Sequence, residues 1–300
     1  MSEEQNNKKY VSCKWEKTLA LINNVYLKKY IPETKKVSSE SLQEMLNKYK
    51  AVYVKPNRGS SGKGVMKIQQ RIHHGKIVYE VQNNLSIKHF DNYNALYYKL
   101  NEHIQKSDRM HIVQKGINMI KYKKRSADIR VMVQQNPQSE WEITGFLARL
   151  SHPKKIVTNI SGGGAVCDVY ELLNHICTQK YEKENVLTEL KMIGIETAKQ
   201  MNKFYPKVQE NGVDIALDQE LHPWILEVNT KPDIGPFNLL KNKTYYEKII
   251  DYRKEIKKEQ DSKQKSKKKN RSNYKLKKPK YNYTKRYKHI KTKTKGLIVE

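Results

Sequence analysis

The sequence predicts an α+β fold, and three observations lead there. Strand-like apolar runs and helix-spaced stripes are mixed without the regular alternation that builds a parallel sheet. Strand-like runs come in pairs around turn chemistry, as at His74-Gly75 and at Asn136–Ser139. A chain of 300 residues is also long enough for two subdomains, each with its own core.

In order, residues 1–12 read as a disordered N-terminus. Residues 14–24 place Trp15, Leu19 and Ile22 at helical spacing, and Ser41–Tyr49 carries Leu42, Met45 and Leu46 on one side. Strands follow at Ala51–Val54, Val65–Gln69 and Ile77–Val81, then a helix over Asn94–Lys106 with Leu96, Leu100 and Ile104 in one stripe. His111–Gln114, Ile129–Val133 and Trp141–Leu150 read as strands. Glu184–Phe204 is the longest helix, Val213–Leu217 and Trp224–Val228 are strands joined by a turn containing Asp218 and Glu220, and residues 239–259 are mostly helical. The expected division is 13–112 for a small subdomain, 113–255 for a large one and 256–300 for a disordered basic tail.

Composition narrows the function classes. There are 59 Lys+Arg against 31 Asp+Glu, a formal net charge of +28, and residues 251–300 hold 20 Lys/Arg against 5 Asp/Glu. No apolar run approaches the ~20 residues of a membrane span, and the N-terminus lacks the apolar core of a signal peptide. Cys13, Cys167 and Cys177 show no CxxC spacing, and the histidines form no HExxH cluster. A soluble intracellular protein is the expectation.

Three stretches carry chemistry. VYVKPNRGSSGKGVMKI, from Val52, sets a long Gly/Ser loop with Lys55 at its edge between two strands. The loop exceeds what a hairpin needs, so it reads either as a solvated loop or as a flap laying its amides on phosphates. The P-loop pattern is excluded, because Val65 follows Gly64 where Lys should be and a strand follows rather than a helix. A Gly-rich strand–loop–strand over phosphates is also a kinase device, but HRD and DFG are missing. In GVDIALDQELHPWILEVNTKP, Asp214 and Glu227 lie inside apolar strands, where an unpaired charge is costly. Glu227 and Asn229 share one face, and with Asp214 they make an all-oxygen set suited to Mg²⁺; two isolated acids on a strand edge are the bland alternative. Arg130 and Arg149 lie in strands, where they either form surface ion pairs or neutralise a transferring phosphoryl group. Asn159 precedes a Gly run.

The order of these pieces, with KWEKTLALINNVYLKKYIPET, IVQKGI, DIRVMVQ, VTNISGGG and LEVNTKP, resembles the ATP-grasp superfamily, and within it the spore-coat-associated YheC/YheD family, from about Lys14 to Phe237. The resemblance implies ATP held between two α+β subdomains. By position, Lys55 resembles an α-phosphate lysine, and Ser60, Ser61, Gly62, Lys63 and Gly64 resemble the phosphate flap. Gln114, Lys115 and Ile117 resemble the adenine hinge. Asp214, Glu227 and Asn229 match ligands of two Mg²⁺ ions, with Glu227 bridging. Arg130, Arg149 and Asn159 match residues facing the γ-phosphate and the acceptor. It implies a carboxylate–amine ligase working through an acyl-phosphate, its carboxylate and amine substrates undefined.

About fifty residues precede Lys55, and two short helices account for them. The expectation is therefore that no separate acceptor domain is present. The acceptor is then a protein or peptide, or a partner completes the site, or the fold binds ATP without turnover as a structural spore component. The Lys/Tyr-rich tail at 256–300 is expected either to meet nucleic acid, another polyanion or acidic coat proteins, or to be a solvated tail.

Overall fold

The computed structural model describes residues 7–276. Two six-stranded antiparallel sheets organise the chain. The first follows two helices, α1 (Lys14–Ile22) and α2 (Val25–Lys28). It contains β1 (Thr34–Lys36), β2 (Ala51–Pro56), β3 (Met66–His73), β4 (Lys76–Asn83), β5 (Ser86–Phe90) and β6 (His111–Lys115), in the order β1-β6-β2-β3-β4-β5. Helices α3 (Ser39–Lys48) and α4 (Tyr93–Ser107) cover it, burying Leu42, Met45 and Leu46 and Leu96 and Leu100 against Val52, Val54 and Ile68. Ser38 caps α3 in a reciprocal pair with Ser41, and Asn92 caps α4. The β3–β4 hairpin turns on His74 and Gly75, both at positive φ, as the two-residue turn requires.

The second sheet holds β7 (Lys121–Tyr122), β8 (Arg125–Gln135), β9 (Trp141–Leu150), β10 (Ala165–Cys167), β11 (Glu210–Leu217) and β12 (Pro223–Asn229). Five of them run in the order β10-β9-β8-β11-β12, and β7 pairs with β8. Strand alternation divides its two faces. Ile129, Val131 and Val133, with Phe146, Val213 and Ile215, enter the largest core, which α5 (Val169–Ile176) and the 25-residue α6 (Lys180–Phe204) close. On the other face Met132 and Leu147 pack against Phe237, Leu240 and Ile249, the last from α7 (Thr244–Leu276). Asp128, Arg130, Arg149 and Asp214 alternate with the residues of the first set and lie on this second face.

A register shift interrupts β11–β12: Asp214 pairs with Glu227 and Ile215 with Ile225, so Leu226 is an extra residue. Asn229 opposes Gly212, which keeps Glu227 and Asn229 on the face of Asp214.

Several expected limits shift. Helices α1 and α2, expected with the small subdomain, send Ala20, Leu21 and Leu27 into the core of the second sheet. Strand β6 runs across the expected 112/113 boundary. Val11, expected in a disordered segment, is buried and donates its amide to Thr230 Oγ1 at 2.8 Å. Helix α7 continues to Leu276, past the expected end of helix near residue 259. Residues 1–6, and the part of the expected basic tail from 277 to 300, lie outside the described residues. The short strands β1, β5 and β10 were not expected, because three to five residues without apolar alternation give no periodic signal. No helix among the described residues is long and apolar enough to cross a membrane.

Candidate functional site

A cleft enclosing about 880 Å³ of space, part of it open to solvent, runs between the first sheet and the second face of the second sheet. One wall comes from Tyr53 and Lys55 of β2 and from the flap with Gly59, Ser60, Gly62 and Lys63. The other is Asp128, Arg149, Asp214 and Glu227, with Thr158 and Asn159 on the loop after β9. Gln114, Lys115 and Ile117 close one end.

The floor is an ionic ladder across β9, β8 and β11. Asp214 sits directly opposite Arg130, and Asp128 opposite Arg149, in the strand register. Arg130 grips Asp214 through two nitrogens, Nη2 at 3.0 Å and Nε closer still. Arg149 donates Nε at 2.8 Å and Nη2 at 2.6 Å to Asp128, and Nη2 also lies 3.0 Å from Asp214 Oδ2. Thr158 Oγ1 adds a bond to Asp128 at 2.6 Å. All four charged residues are buried. Burial on its own would raise the Asp214 carboxyl, but the Arg130 and Arg149 guanidiniums beside it hold it below its usual range. Burial opposes the charge on Arg149, yet Asp128 and Asp214 push its pKa up. Two bidentate pairs in register fix both guanidinium planes.

Lysines face this floor. Lys55 projects from β2, and its Nζ donates to Gln114 Oε1 at 2.6 Å, while Gln114 Nε2 donates to Thr34 Oγ1. Burial of the ammonium lowers Lys55 to about 8, with Glu227 pulling the other way. Lys14 Nζ lies 3.1 Å from Glu227 Oε1 and donates to Gly59 O at 2.8 Å, joining floor to flap. It is placed by the start of α1, where the amides of Lys14 and Trp15 donate to Asn57 at the flap root. Lys17, one turn on, is buried, donates to Val228 O at 2.5 Å and lies 3.9 Å from Glu227. Burial lowers its pKa, and Glu227 raises it less.

The flap turns through Ser61, Gly62 and Gly64, all at positive φ. At Gly62 a Cβ would stand 3.1 Å from Val157 and 3.2 Å from Asn159, so glycine allows the flap to lie against the loop after β9.

Of the residues singled out in the sequence, Lys55, Ser60, Gly62, Lys63, Gln114, Lys115, Ile117, Arg149, Asn159, Asp214 and Glu227 line the cleft. Ser61 and Gly64 shape the flap without lining it. Arg130 stands behind Asp214, and Asn229 Nδ2 donates to Asp214 Oδ2 at 3.2 Å. Lys14, Lys17, Asp128 and Thr158 were not anticipated. Asp128 did carry a signal, since it is two residues before Arg130 and so shares its face. Lys14 and Lys17 have helical spacing, but nothing local shows what their helix docks on.

The oxygens of Asp214, Glu227 and Asn229 suit a hard cation that keeps water and phosphate ligands. Asp214 is shared with two guanidiniums, so Glu227, on the cleft wall, is the more accessible donor. Among the described residues no three His, Cys, Asp or Glu side chains gather as a ready-made metal centre. Such a set therefore fits a cation brought in with phosphates better than one held by protein alone.

A family model described as YheC/D like ATP-grasp matches residues 4–256. The endospore coat-associated protein YheD of Bacillus subtilis (strain 168) is 25% identical over 204 residues, covering 67% of this chain and 44% of the relative. The endospore coat-associated protein YheC of the same organism is 26% identical over 220 residues, covering 73% and 59%. The chain thus spans about half the length of the curated relatives it matches. Among solved structures, the D-alanine–D-alanine ligase from Coxiella burnetii is similar with a TM-score of 0.49 at 15% identity, over 89% of this chain and 62% of that one. The ATP-grasp ligase PsnB is similar with a TM-score of 0.45 at 11% identity, over 80% and 59%.

Proposed function

The chain belongs to the YheC/D-like ATP-grasp family, and from that premise we propose that its cleft binds Mg²⁺-ATP and that it joins a carboxylate to an amine through an acyl-phosphate. The observation that carries this reading is convergence: Lys14, Lys55 and Lys63 face Glu227 and the ladder across one cleft. The ladder is charge-balanced within itself, so the surplus is the lysines', and it suits a polyphosphate.

The base lies at the hinge end. The amides of Lys115 and Gly116 already donate to Glu33 O and Ala51 O, so Ile117 is the hinge residue that reads the base edge. The phosphates lie under the flap, met by Lys55, Lys14 and the amides of Ser60 to Gly64. Glu227, Asn229 and one oxygen of Asp214 would hold Mg²⁺, which would supply charge neutralisation to the phosphates. Arg149 and Asn159 flank the transferring phosphoryl group, and Arg130 acts from behind through Asp214. An acceptor carboxylate oxygen attacks the γ-phosphorus and ADP leaves; an amine then attacks the acyl carbon and phosphate leaves. No covalent enzyme nucleophile is needed, because catalysis rests on positioning and fixed charge.

The double guanidinium grip on Asp214 favours a second reading, in which the fold binds nucleotide without turnover and serves as a component associated with the spore coat, as the relatives' names suggest. The test is thermal unfolding of the full chain with and without Mg²⁺-ATP, in wild type and in the Glu227→Ala/Asn229→Ala double variant. At 100 times its dissociation constant a ligand stabilises by about 2.7 kcal/mol, a rise of several degrees for a chain this size. The wild type should shift and the double variant should not. Acceptor-dependent phosphate release then separates the ligase from the silent binder.

A further inference from the structure

The first sheet carries a second pocket, enclosing about 690 Å³ of space, part of it open to solvent, between β3–β5 and α4. Its interior is apolar: Met66, Val81, Phe90, Leu96 and Leu100. Its mouth is basic, with Lys88 from β5 and Lys99 and His103 one turn apart on α4. Glu102 lies between Lys99 and Lys106, 2.7 and 2.6 Å from their ammonium groups, so one acid serves two lysines and the rim keeps a positive surplus. Asn83 and Ser86 supply further polar groups at the mouth.

An apolar pocket with a few convergent polar groups at its opening is the usual form of a small-molecule site. The sign of the rim selects the polar end of the ligand.

We propose that this cavity binds a small amphiphilic carboxylate, one ring or a short acyl chain carrying a single carboxylate. The apolar body sits against Met66, Leu96 and Leu100, and the carboxylate meets Lys88 and Lys99. Met66 opens the strand that the phosphate flap leads into, so the ligand sits at the root of the flap. The site stands apart from the nucleotide reading and does not depend on it.

The test is methyl-resolved NMR of the full chain titrated with octanoate, and with octanol as the uncharged match. Octanoate should shift the methyls of Met66, Leu96 and Leu100 saturably. Octanol should bind about fivefold more weakly, the factor a rim ion pair contributes. Lys88→Ala with Lys99→Ala should reduce octanoate binding to the octanol level, and Val81→Phe should abolish both. If Val81→Phe fails to fold, the two exposed lysines decide the matter on their own. Equal binding of octanoate and octanol would reduce the cavity to a plain apolar void and overturn the proposal. So would unsaturable shifts, or shifts confined to the nucleotide cleft.

Discussion

The floor of the cleft and the flap above it are built on opposite principles. On the floor, Asp128, Arg149, Asp214 and Arg130 are buried, in strand register, and bonded to one another at 3.0 Å or less. The flap has no such frame: Ser61, Gly62 and Gly64 all take left-handed conformations, and its ties to the second sheet's side are Lys14 and the contact of Gly62 with Val157 and Asn159. The floor is held by paired charges in strand register, whereas the flap is shaped by its own turns. On the proposed reading the two would divide the work: the fixed dipoles of the floor would stabilise developing charge, and the flap would cover the phosphates.

Breaking the floor should have the largest effect. Arg149→Leu leaves Asp128 without its bidentate partner and should cost about 3–5 kcal/mol in urea unfolding, the range for orphaning a buried charge. A loss under about 1 kcal/mol would mean that the ladder is solvated rather than buried.

The next test separates floor from lysines by pH. Burial lowers Lys55 to about 8, and on the proposed reading bound phosphates would raise it. ATP affinity should therefore be highest below pH 8 and fall by up to about tenfold per pH unit above it. Calorimetry between pH 7 and 9.5 reads this, and Lys55→Arg should flatten the profile. An unchanged slope in that variant would remove Lys55 from the phosphate site.

Gly62→Ala probes the lid. A left-handed alanine pressed against Val157 should cost about 1–3 kcal/mol, felt as weaker ATP binding with the unfolding temperature almost unmoved. If the unfolding temperature drops instead, the flap belongs to the folding core.

The smallest effect is acid stability. Asp214 is held below its ordinary value of 3.8. Its contribution is present in full above that value and fades as pH falls through the lower folded value. Acid titration should show this fading in wild type and less of it in Arg130→Leu.

The same contrast explains what the sequence disclosed. Lys55, the flap glycines and the Asp214, Glu227 and Asn229 set were legible because each sits in a local pattern of strand, loop or alternation. The strands carrying Ile129–Val133 and Val213–Leu217 were legible for the same reason. The ladder was not, because the partner of Arg149 is set by the register between β8 and β9, which no local pattern records. Lys14 and Lys17 were hidden in a different way: they act across more than 200 residues, through the docking of α1 beside β12. The helix was visible in the sequence and its docking partner was not.

The extra residue at Leu226 has a consequence for how the gene can vary. Strand β12 presents Glu227 and Asn229 to the cleft and Ile225 to the core, with one residue looped out of step between them. Substituting Leu226 keeps that count, and the lining can absorb a change of side chain. Deleting it leaves Ile225 directly before Glu227, and plain strand alternation still sends the first to the core and the second to the cleft. Only the bulge and its local twist are lost. Two positions further on the outcome reverses: losing Val228, a core residue, would turn Asn229 away from the cleft.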